Sequence, residues 1–340
     1  MDYLNTILTG NCAEVLNTLP EECVDLVVTS PPYDKLRDYN GFEFDHKAII
    51  KALHRVLKPG GIVVWVVNDA TVQQEETGTS FVHAWAFKRL GFKLHDTMIY
   101  EKNGAPFPAN RNGNRYTQIF EYMFVFSKGK PKTGNLICDK RNRWFGWCNW
   151  GNKTLRTKDG QLKAQDDTKE IPEFSPRNNI WKFNTGAGYS YTGSAEEREL
   201  VKKHPAVFPE QLARDHIISW SNPGDVVLDP MCGSGTTLKM AYLEDRNYIG
   251  VDISEEYANI ARKRMKFVEK DKAKYQASKI QINSDKTIDA DITINGEIYT
   301  YKKIPEDKFI EVQEAIKQWK WIKPGSEIKE KQKRKRGETK

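Results

Sequence analysis

Two short strings, far apart in the chain, have residue types and spacings suited to chemistry. The first is Ser-Pro-Pro-Tyr at residues 30–33, which we call the amine ledge. Its prolines fix the backbone, so that the Pro31 carbonyl and the Ser30 side chain can point at one spot, while Tyr33 offers a ring for stacking. An exocyclic base amine is a poor nucleophile because its lone pair is delocalised, and acceptors that hold its hydrogens favour the reactive geometry. Taken alone, the ledge could equally be a rigid turn after a strand, but together with the second string it is predicted to hold a flat amine.

The second string, Asp-Pro-Met-Cys-Gly-Ser-Gly-Thr-Thr at residues 229–237, is predicted to bind a cofactor, and we call it the cofactor loop. Glycines are needed where a backbone adopts unusual dihedral angles and approaches a ligand closely. A second acid, Asp252, ends the next predicted strand, where nucleotide-binding folds place an acceptor for ribose hydroxyls. The loop lacks both the Gly-Lys-Ser/Thr ending of a phosphate-binding loop and the third glycine of the dinucleotide pattern. We therefore predict a compact adenosine ligand with a charged amino-acid tail, and not an ordinary capped turn.

The sequence around the two strings alternates between strand-like and helix-like patterns. Apolar runs predict strands over 24–29, 62–67, 98–100, 121–127, 225–229 and 248–252, and helical spacing predicts helices over 44–57, 79–90, 236–243 and 254–268. The Lys-Pro-Gly-Gly run at 58–61 is predicted to end the first helix and to separate it from the next strand. This alternation indicates an α/β fold with a parallel sheet covered on both faces.

Residues 128–192 differ in composition from the segments on either side, because they are rich in Lys, Arg, Asn, Gly and Trp and show little periodicity. Interleaved cations and aromatic rings can contact phosphates and stack on bases, whereas the tryptophans could instead form a small core of their own. The candidate DNA-binding residues are Lys140, Arg141, Arg143, Lys153 and Arg156, together with Lys35 and Arg37 after the amine ledge. The segment that carries the last two could equally be a plain polar connection.

The composition of the 340 residues limits the class of protein. The net charge of +7 suits a polyanionic partner, although it is weak evidence at this length. No charged start leads into an apolar run and no run reaches membrane-spanning length, so we expect no secretory signal and no membrane span. The five scattered cysteines, without a Cys-x-x-Cys pair, indicate a reducing cytoplasm and no disulfide framework or zinc site.

The amine ledge, the cofactor loop and their order in the chain resemble the β-arrangement DNA amino-methyltransferases. In that family the catalytic motif precedes a target-recognition region, which precedes the S-adenosylmethionine motif. The resemblance covers roughly residues 3–265 and implies S-adenosyl-L-methionine as the cofactor, with no metal. It also implies a Rossmann-like class I methyltransferase fold, which is an α/β fold with a mixed, mostly parallel sheet and a circularly permuted motif order. The catalytic domain is then expected at residues 1–127 and 193–270, with the target-recognition region inserted at 128–192.

The resemblance further implies roles for individual residues. The family's catalytic positions match Ser30, Pro31, Pro32 and Tyr33. In the family, the residue matching Asp229 lies near the methionine moiety, the residue matching Asp252 binds the ribose, and the segment matching 204–212 closes over the cofactor. The implied cofactor-binding residues are Asp229, Pro230, Cys232, Gly233, Gly235, Thr236, Asp252, His204 and Phe208.

The implied substrate is double-stranded DNA, with the target base flipped out of the helix. In the family, serine before Pro-Pro is more usual for cytosine-N4 enzymes and an acidic or amide residue for adenine-N6 enzymes, with exceptions both ways, so Ser30 favours cytosine-N4 over adenine-N6. Cytosine-C5 methylation is disfavoured, because it needs a cysteine nucleophile, usually after proline, and Cys232 lies inside the cofactor loop. Remoter alternatives are a protein-glutamine methyltransferase and a non-catalytic DNA-binding subunit. Candidate partners besides DNA are a second copy of the chain, in a homodimer, and a cognate restriction endonuclease.

Several features lie outside these motifs. An Asn-Gly pair within the alternating residues 292–301 predicts a hairpin, and residues 305–321 have a helical pattern, which together suggest a C-terminal extension at 271–322. Residues 323–340 are strongly basic and are expected to be a disordered tail. Asn68 and Asp69, at the end of a predicted strand, either face the site or, as we favour, serve as turn residues.

Overall fold

The computed structural model describes residues 3–32, 44–103, 114–147, 154–164, 170–183, 195–202, 207–275, 279–282, 287–294 and 297–305. The chain divides into two compact units, Met1–Met265 and Lys266–Lys340. Beyond Pro305, which ends a strand, the predicted C-terminal helix and the basic tail lie outside the described residues. Within the described residues, no helix is both long and apolar enough to cross a membrane.

Strands and helices alternate near the start of the first unit and again from α5 Glu210–Trp220 onward, as the sequence predicts. Its strands are β1 Thr6–Thr9, β2 Val24–Thr29, β3 Leu57–Val67, β4 Thr71–Val72, β5 Glu75–Glu76, β6 Lys93–Lys102, β7 Phe120–Ser127, β8 Lys140–Arg141, β9 Thr154–Arg156, β10 Leu162–Ala164, β11 Phe174–Ser175, β12 Ile180–Phe183, β13 Val226–Asp229 and β14 Asn247–Asp252. The helices are α1 Cys12–Thr18, α2 His46–Val56, α3 Thr79–Arg89, α4 Ala195–Val201, α5 Glu210–Trp220, α6 Thr236–Leu243 and α7 Glu255–Tyr275, of which the last continues into the second unit.

An eight-stranded sheet organises the first unit, with the strand order β1-β14-β13-β2-β3-β7-β6-β12. Strand β7 runs antiparallel to both of its neighbours, β3 and β6, and the other neighbouring pairs are parallel. The predicted mixed, mostly parallel sheet is therefore confirmed. Each residue of β2 and β13 is buried, as expected for parallel strands that are covered on both faces.

The hydrophobic core lies on both faces of this sheet. On one face, Trp65 of β3 packs against Phe87 of α3, with ring centroids 5.1 Å apart. On the other face, the neighbouring residue Val64 belongs to a cluster with Leu212 of α5 and Leu238 of α6. Successive side chains of a strand point to opposite faces, so the continuous apolar runs of the sequence supply both clusters.

The start of β3 corrects one prediction. The Lys-Pro-Gly-Gly run does end α2, but the strand begins at Leu57, and the run lies inside the strand instead of separating it from the helix. Gly60 has φ +81°, a left-handed conformation that glycine adopts without strain, and its N–H donates to the Lys128 carbonyl (2.6 Å). A Cβ on Gly61 would lie 2.8 Å from Leu57 Cγ. Glycine therefore allows the chain to leave the helix and join the sheet within a few residues.

The irregular segment after β7 contains two small antiparallel sheets, β8 with β11 and β9 with β10. Its last strand, β12, pairs in parallel with β6 and forms one edge of the main sheet. Arg177 ties this segment to the main body, because its guanidinium bonds both to Asp139 and to Asp215 of α5 (Nη2–Oδ2 and Nη1–Oδ2, each 2.6 Å). The chain from β7 to β12 thus leaves and rejoins the same half of the sheet, while the domain boundaries at 128 and 192 stay a prediction.

The second unit contains a three-stranded antiparallel sheet in the order β15-β16-β17. Its strands are β15 Lys279–Ile282, β16 Thr287–Ile294 and β17 Glu297–Pro305. Ile294 pairs with Glu297 across the end of the β16–β17 hairpin, so the hairpin predicted around the Asn-Gly pair is confirmed.

Candidate active site

The two sequence strings meet at one edge of the main sheet. β14, β13 and β2 are adjacent and parallel, so their carboxyl ends, Asp252, Asp229 and Thr29, lie side by side. Ligands of open α/β sheets bind outside the carboxyl ends of the strands. The amine ledge follows Thr29 directly, with Pro31 buried and Ser30 and Pro32 partly exposed. Tyr33, Lys35, Arg37, Lys153 and His204 lie outside the described residues, so their predicted roles stay predictions.

A hydrogen bond joins the strand of the amine ledge to the cofactor loop. Thr29 Oγ1 donates to Asp229 Oδ1 over 2.7 Å, across 200 residues of sequence, and both residues are buried. The backbone N–H of Met231 donates to the same oxygen (3.2 Å). Burial raises the pKa of Asp229 to about 6, while the Thr29 hydroxyl lowers it. Asp229 is thus a desolvated acid that ionises just below neutral pH and is held in place by the strand of the ledge.

Asp252 fixes the other side of the cofactor loop. Its Oδ2 accepts the Gly233 N–H (2.8 Å) and its Oδ1 accepts the Ser254 N–H at the start of α7 (2.9 Å). Burial raises the pKa of this carboxyl, and the two N–H groups lower it. An ionised carboxylate has more lone pairs than these two bonds use, so Asp252 can also accept hydrogen bonds from ligand hydroxyls.

The cofactor loop has the backbone geometry that the sequence predicts. Gly233 and Gly235 have φ of +48° and +77°, and Gly235 precedes α6. A Cβ on Gly235 would lie 3.0 Å from the Cβ of Ala261, so both the conformation and the close packing require glycine. Thr236 begins α6 and is buried, as is Pro230.

Cys232 is buried inside the loop, and burial raises the pKa of its thiol well above the usual range. A thiol that stays protonated is a poor nucleophile, which supports the argument against a C5 mechanism. Phe208 is partly buried and packs against the apolar cluster that contains Cys232, just before α5 begins. Both predicted cofactor-binding residues thus lie on the α5–α6 side of the sheet.

Two polar residues at the end of β3 have structural partners. Asp69 accepts from the backbone N–H and the hydroxyl of Ser80 (2.8 and 2.6 Å), which ties the end of β3 to α3. Asn68 exchanges amide hydrogen bonds with Gln118 (3.2 and 2.9 Å). These bonds favour the interpretation of both as turn residues.

The described DNA-binding candidates are exposed. Lys140 and Arg141 lie on β8, Arg143 follows it, and Arg156 ends β9. The Arg143 guanidinium lies over the Trp144 ring at 5.3 Å, and Trp144 meets Trp147 edge-on with centroids 5.1 Å apart. Trp144 and Trp147 are 43% and 49% exposed, whereas Trp181 is 6% exposed and packs beside His216. Trp181 thus belongs to the core of the main sheet and not to a separate small core of the inserted segment, whereas Trp144 and Trp147 are on the surface, where Arg143 lies over the Trp144 ring.

Four buried charged residues next to the cofactor loop are not predicted from the sequence. Glu197 of α4 and Glu210 of α5 face Lys239 of α6 and Arg264 of α7, and each residue is at most 3% exposed. Arg264 occurs among other charged residues of α7, so the sequence pattern does not mark it as buried. Lys239 is the only charged residue of α6 and stands between Leu238 and Met240, but this pattern does not identify its partners.

Comparison with known proteins identifies the family. The profile of the DNA methylase family N6_N4_Mtase matches residues 24–263. The orphan methyltransferase M.BamHII of Bacillus amyloliquefaciens is 51% identical over 243 residues, which cover 72% of this chain and 89% of that protein. This chain belongs to the N6/N4 DNA methylase family. It is thus a DNA amino-methyltransferase of the β class, as the resemblance predicts.

A more distant relative and a solved structure support the assignment of this chain to the DNA methylase family. The type II methyltransferase M.HinfI of Haemophilus influenzae is 27% identical over 288 residues, covering 78% of this chain and 69% of that protein. The solved structure of the PvuII DNA methyltransferase, which is cytosine-N4-specific, has a TM-score of 0.54 at 22% identity and covers 76% of this chain and 85% of that one. At this identity the likeness shows the fold alone, and it confirms the predicted class I methyltransferase fold.

S-adenosyl-L-methionine is the cofactor of this DNA methylase family, as predicted. The residues at the sheet edge fit it chemically. Asp252 offers carboxylate oxygens to ribose hydroxyls, and Asp229 offers a buried negative charge to the ammonium group of the methionine part. Between them, the left-handed backbone of Gly233 and Gly235 carries no Cβ that would obstruct a close ligand. The particular contact of each residue stays a prediction.

Proposed function

We propose that this DNA methylase transfers a methyl group to the exocyclic N4 amine of cytosine in duplex DNA, with the target base flipped out of the helix. The observation that carries the proposal is the position of Ser30, which stands directly before two prolines at the carboxyl end of β2. The Thr29–Asp229 hydrogen bond holds that strand end against the cofactor loop. Serine at this position, in place of an acid or amide, favours cytosine over adenine.

The reaction needs an amine with a localised lone pair. In the proposed role, the Ser30 side chain and the Pro31 carbonyl accept the two hydrogens of the cytosine amine, so the nitrogen becomes more pyramidal and more nucleophilic. Tyr33 stacks on the flipped ring and keeps it from turning away. When bound, S-adenosyl-L-methionine supplies an electrophilic methyl group on its sulfonium.

The rigid joint between ledge and loop supports this mechanism. Transfer is fast only when the two reacting atoms are held close and in line, and a small misplacement lowers the rate strongly. The Thr29–Asp229 bond is buried and short at 2.7 Å, so it ties the end of β2, directly before the ledge, to the cofactor loop. Asp229 can therefore orient the methionine part of the cofactor and the ledge together.

The surface of the inserted segment supports duplex DNA as the partner. Lys140, Arg141 and Arg143 are exposed, as are the rings of Trp144 and Trp147, and Arg143 lies over the Trp144 ring. Cations suit the phosphate backbone, and exposed indole rings can stack on bases. Arg141 also contacts Glu173 (3.4 Å), an exposed pair that phosphates can exchange at little cost. The homodimer, the cognate restriction endonuclease and a cytoplasmic location stay predictions.

The test is nucleoside mass spectrometry of duplex DNA incubated with the protein and S-adenosyl-L-methionine that carries an isotopic methyl label. Labelled N4-methylcytosine is the expected product. Labelled N6-methyladenine would overturn the choice of base, and the absence of label from every base would overturn the proposed reaction. Asp229→Ala is the matched control, because it should abolish the product whichever base is methylated.

A further inference from the structure

Four buried charged residues lie beside the cofactor loop, and we call them the ion cluster: Glu197, Glu210, Lys239 and Arg264. Lys239 Nζ lies 2.7 Å from Glu197 Oε1 and 2.9 Å from Glu210 Oε1. Arg264 Nε lies 2.8 Å from the same oxygen of Glu197, and Arg264 Nη2 lies 2.5 Å from that of Glu210. Among the described residues, two cations and two anions thus alternate around a ring that joins α4, α5, α6 and α7.

Stability alone is a weak explanation for such a ring. Removing an ion from water costs several kcal/mol, and replacing buried ion clusters by apolar residues of similar volume is often neutral or stabilising. The members of this cluster are at most 3% exposed, so each has been fully desolvated. Charged groups supply directional hydrogen bonds, which apolar side chains cannot supply.

Two hydrogen bonds from the ion cluster are made to the cofactor loop. Arg264 Nη1 donates to the backbone carbonyl of Ser234 (3.0 Å) and to the hydroxyl of Thr236 (2.9 Å). Ser234 lies between Gly233 and Gly235, both in left-handed conformations that glycine leaves easily. An anchor on the carbonyl between two glycines restricts the freedom of both. Arg264 is therefore placed to hold the loop in one conformation before any ligand arrives.

The cluster also joins the loop to the second segment assigned to the cofactor. Glu210 is the first residue of α5, two positions after Phe208. Because Glu210 holds both Arg264 and Lys239, the segment that carries Phe208 and the loop that carries Gly233 are fixed to the same ring. Glu197 adds α4, the first described element after the target-recognition region.

We propose that Arg264 is a positioning residue for the cofactor loop, held in place by the other members of the ion cluster, so that the loop is preorganised to bind the cofactor. The proposal rests on the proposed function in that the ligand of the loop is S-adenosyl-L-methionine. Preorganisation raises affinity by reducing the ordering cost of binding. Loss of the anchor should therefore weaken cofactor binding more than it slows the chemical step.

The test compares two buried arginines. Arg264→Met removes the anchor, whereas Arg246→Met removes an arginine that bonds to Ser221 at the opposite end of the sheet. Arg264→Lys keeps the charge but not the planar fork that reaches two groups at once. Lys263→Met, at an exposed position of α7, is the surface control. The Kd for S-adenosyl-L-methionine is measured by calorimetry well below each variant's Tm, and KM and kcat are measured with duplex DNA.

Both Arg264 variants should raise the Kd and the KM for the cofactor by about tenfold or more, while kcat at saturating cofactor changes less. Arg246→Met should lower the Tm with an unchanged Kd, and Lys263→Met should change neither. If Arg264→Met does not fold, Glu210→Gln removes one charge of the cluster at constant volume and should raise the Kd in the same direction. The proposal is overturned if Arg264→Lys binds the cofactor as the unmodified protein does, or if the Kd of every variant simply follows its Tm.

These outcomes are separable from failure of the proposed function. If the unmodified protein binds the cofactor but methylates no DNA base, the proposed function fails and the comparison of Kd values still decides the role of Arg264. If the unmodified protein does not bind S-adenosyl-L-methionine, both are overturned.

Discussion

The structure predicts how loss of the Thr29–Asp229 hydrogen bond would change the pKa of Asp229 and the stability of the protein. Thr29→Val keeps the shape of the side chain and removes the hydroxyl that donates to Asp229. Burial has already raised the pKa of Asp229 from 3.8 to about 6. Ionising this carboxyl in the folded protein therefore costs roughly 3 kcal/mol more than in the unfolded chain, at about 1.36 kcal/mol per pKa unit. Without the Thr29 hydroxyl, the cost should rise.

The size of the rise follows from the type of bond. A hydrogen bond to a charged group contributes about 1.5–3 kcal/mol. Its loss should therefore move the pKa of Asp229 from about 6 to neutral pH or above. In the unmodified protein, a raised folded pKa means that the folded state binds more protons than the unfolded state between 3.8 and about 6, so this group lowers stability as the pH rises through that window. In Thr29→Val the loss of stability with rising pH should be larger and should extend to higher pH.

Denaturant unfolding at two pH values measures this difference. At pH 8.5, where Asp229 is ionised in the unmodified protein, Thr29→Val should lower the free energy of unfolding by about 2 kcal/mol. At pH 5, where Asp229 is protonated in both proteins, the difference should be much smaller. Thr18→Val is the matched control, since its hydroxyl donates to the Val15 carbonyl on the surface, and it should show a small effect at both pH values.

Cofactor affinity gives an independent readout of the same bond. If the carboxylate form of Asp229 binds the ammonium group of the cofactor, affinity should fall as the pH drops through about 6 in the unmodified protein. In Thr29→Val that midpoint should lie at higher pH. A midpoint that does not move, together with equal destabilisation at pH 5 and pH 8.5, would refute the argument that this bond controls the ionisation of Asp229.

Three further predictions concern individual site residues. Asp252→Ala removes the acceptor of the Gly233 and Ser254 N–H groups, so the Kd for the cofactor should rise by about tenfold or more, and an unchanged value in calorimetry would contradict the assigned role. Tyr33→Ala should lower kcat far more than it weakens cofactor binding, because stacking acts on the base, and equal losses in both would argue against stacking. Trp144→Ala should weaken duplex DNA binding in fluorescence anisotropy by about fivefold or more and leave the cofactor Kd unchanged, since base–aromatic stacking contributes about 1–3 kcal/mol. DNA affinity equal to that of the unmodified protein would place Trp144 outside the DNA interface.

The parts of the fold that could be predicted are those with a strong local signal. The apolar runs at β2, β13 and β14 are fully or largely buried strands, and α6 has the predicted bounds, Thr236–Leu243. The positive φ of Gly233 and Gly235 could also be expected from the motif, because the turn into a helix near a ligand needs glycine. These features depend on residues close together in the chain.

The parts that could not be predicted depend on residues far apart in sequence. Lys239 and Glu197 are 42 positions apart, and Arg264 and Glu197 are 67 apart, so no periodicity marks them as partners. A charged residue on a helix is usually exposed, and only the fold shows that these are buried. The strand position of the Lys-Pro-Gly-Gly run was missed for a related reason, since its backbone partner Lys128 comes much later in the chain.

The strand order explains how a methyltransferase functions with its motifs in permuted order. In the sheet, β14 and β13 end at Asp252 and Asp229, the acids predicted to bind the cofactor, β2 beside them leads into the amine ledge, and β7, β6 and β12 form the far half. The segment predicted to be the target-recognition region leaves the sheet after β7 and returns as β12, so it is attached to that far half. The end of β2, directly before the ledge, thus lies between the strands that end at Asp229 and Asp252 and the half attached to the predicted recognition region, whatever the order of the motifs along the chain. Hydrogen bonds such as Thr29–Asp229 depend on which strands are neighbours in the sheet and not on the order of those strands in the sequence. A permuted order of the motifs therefore leaves the geometry of methyl transfer intact.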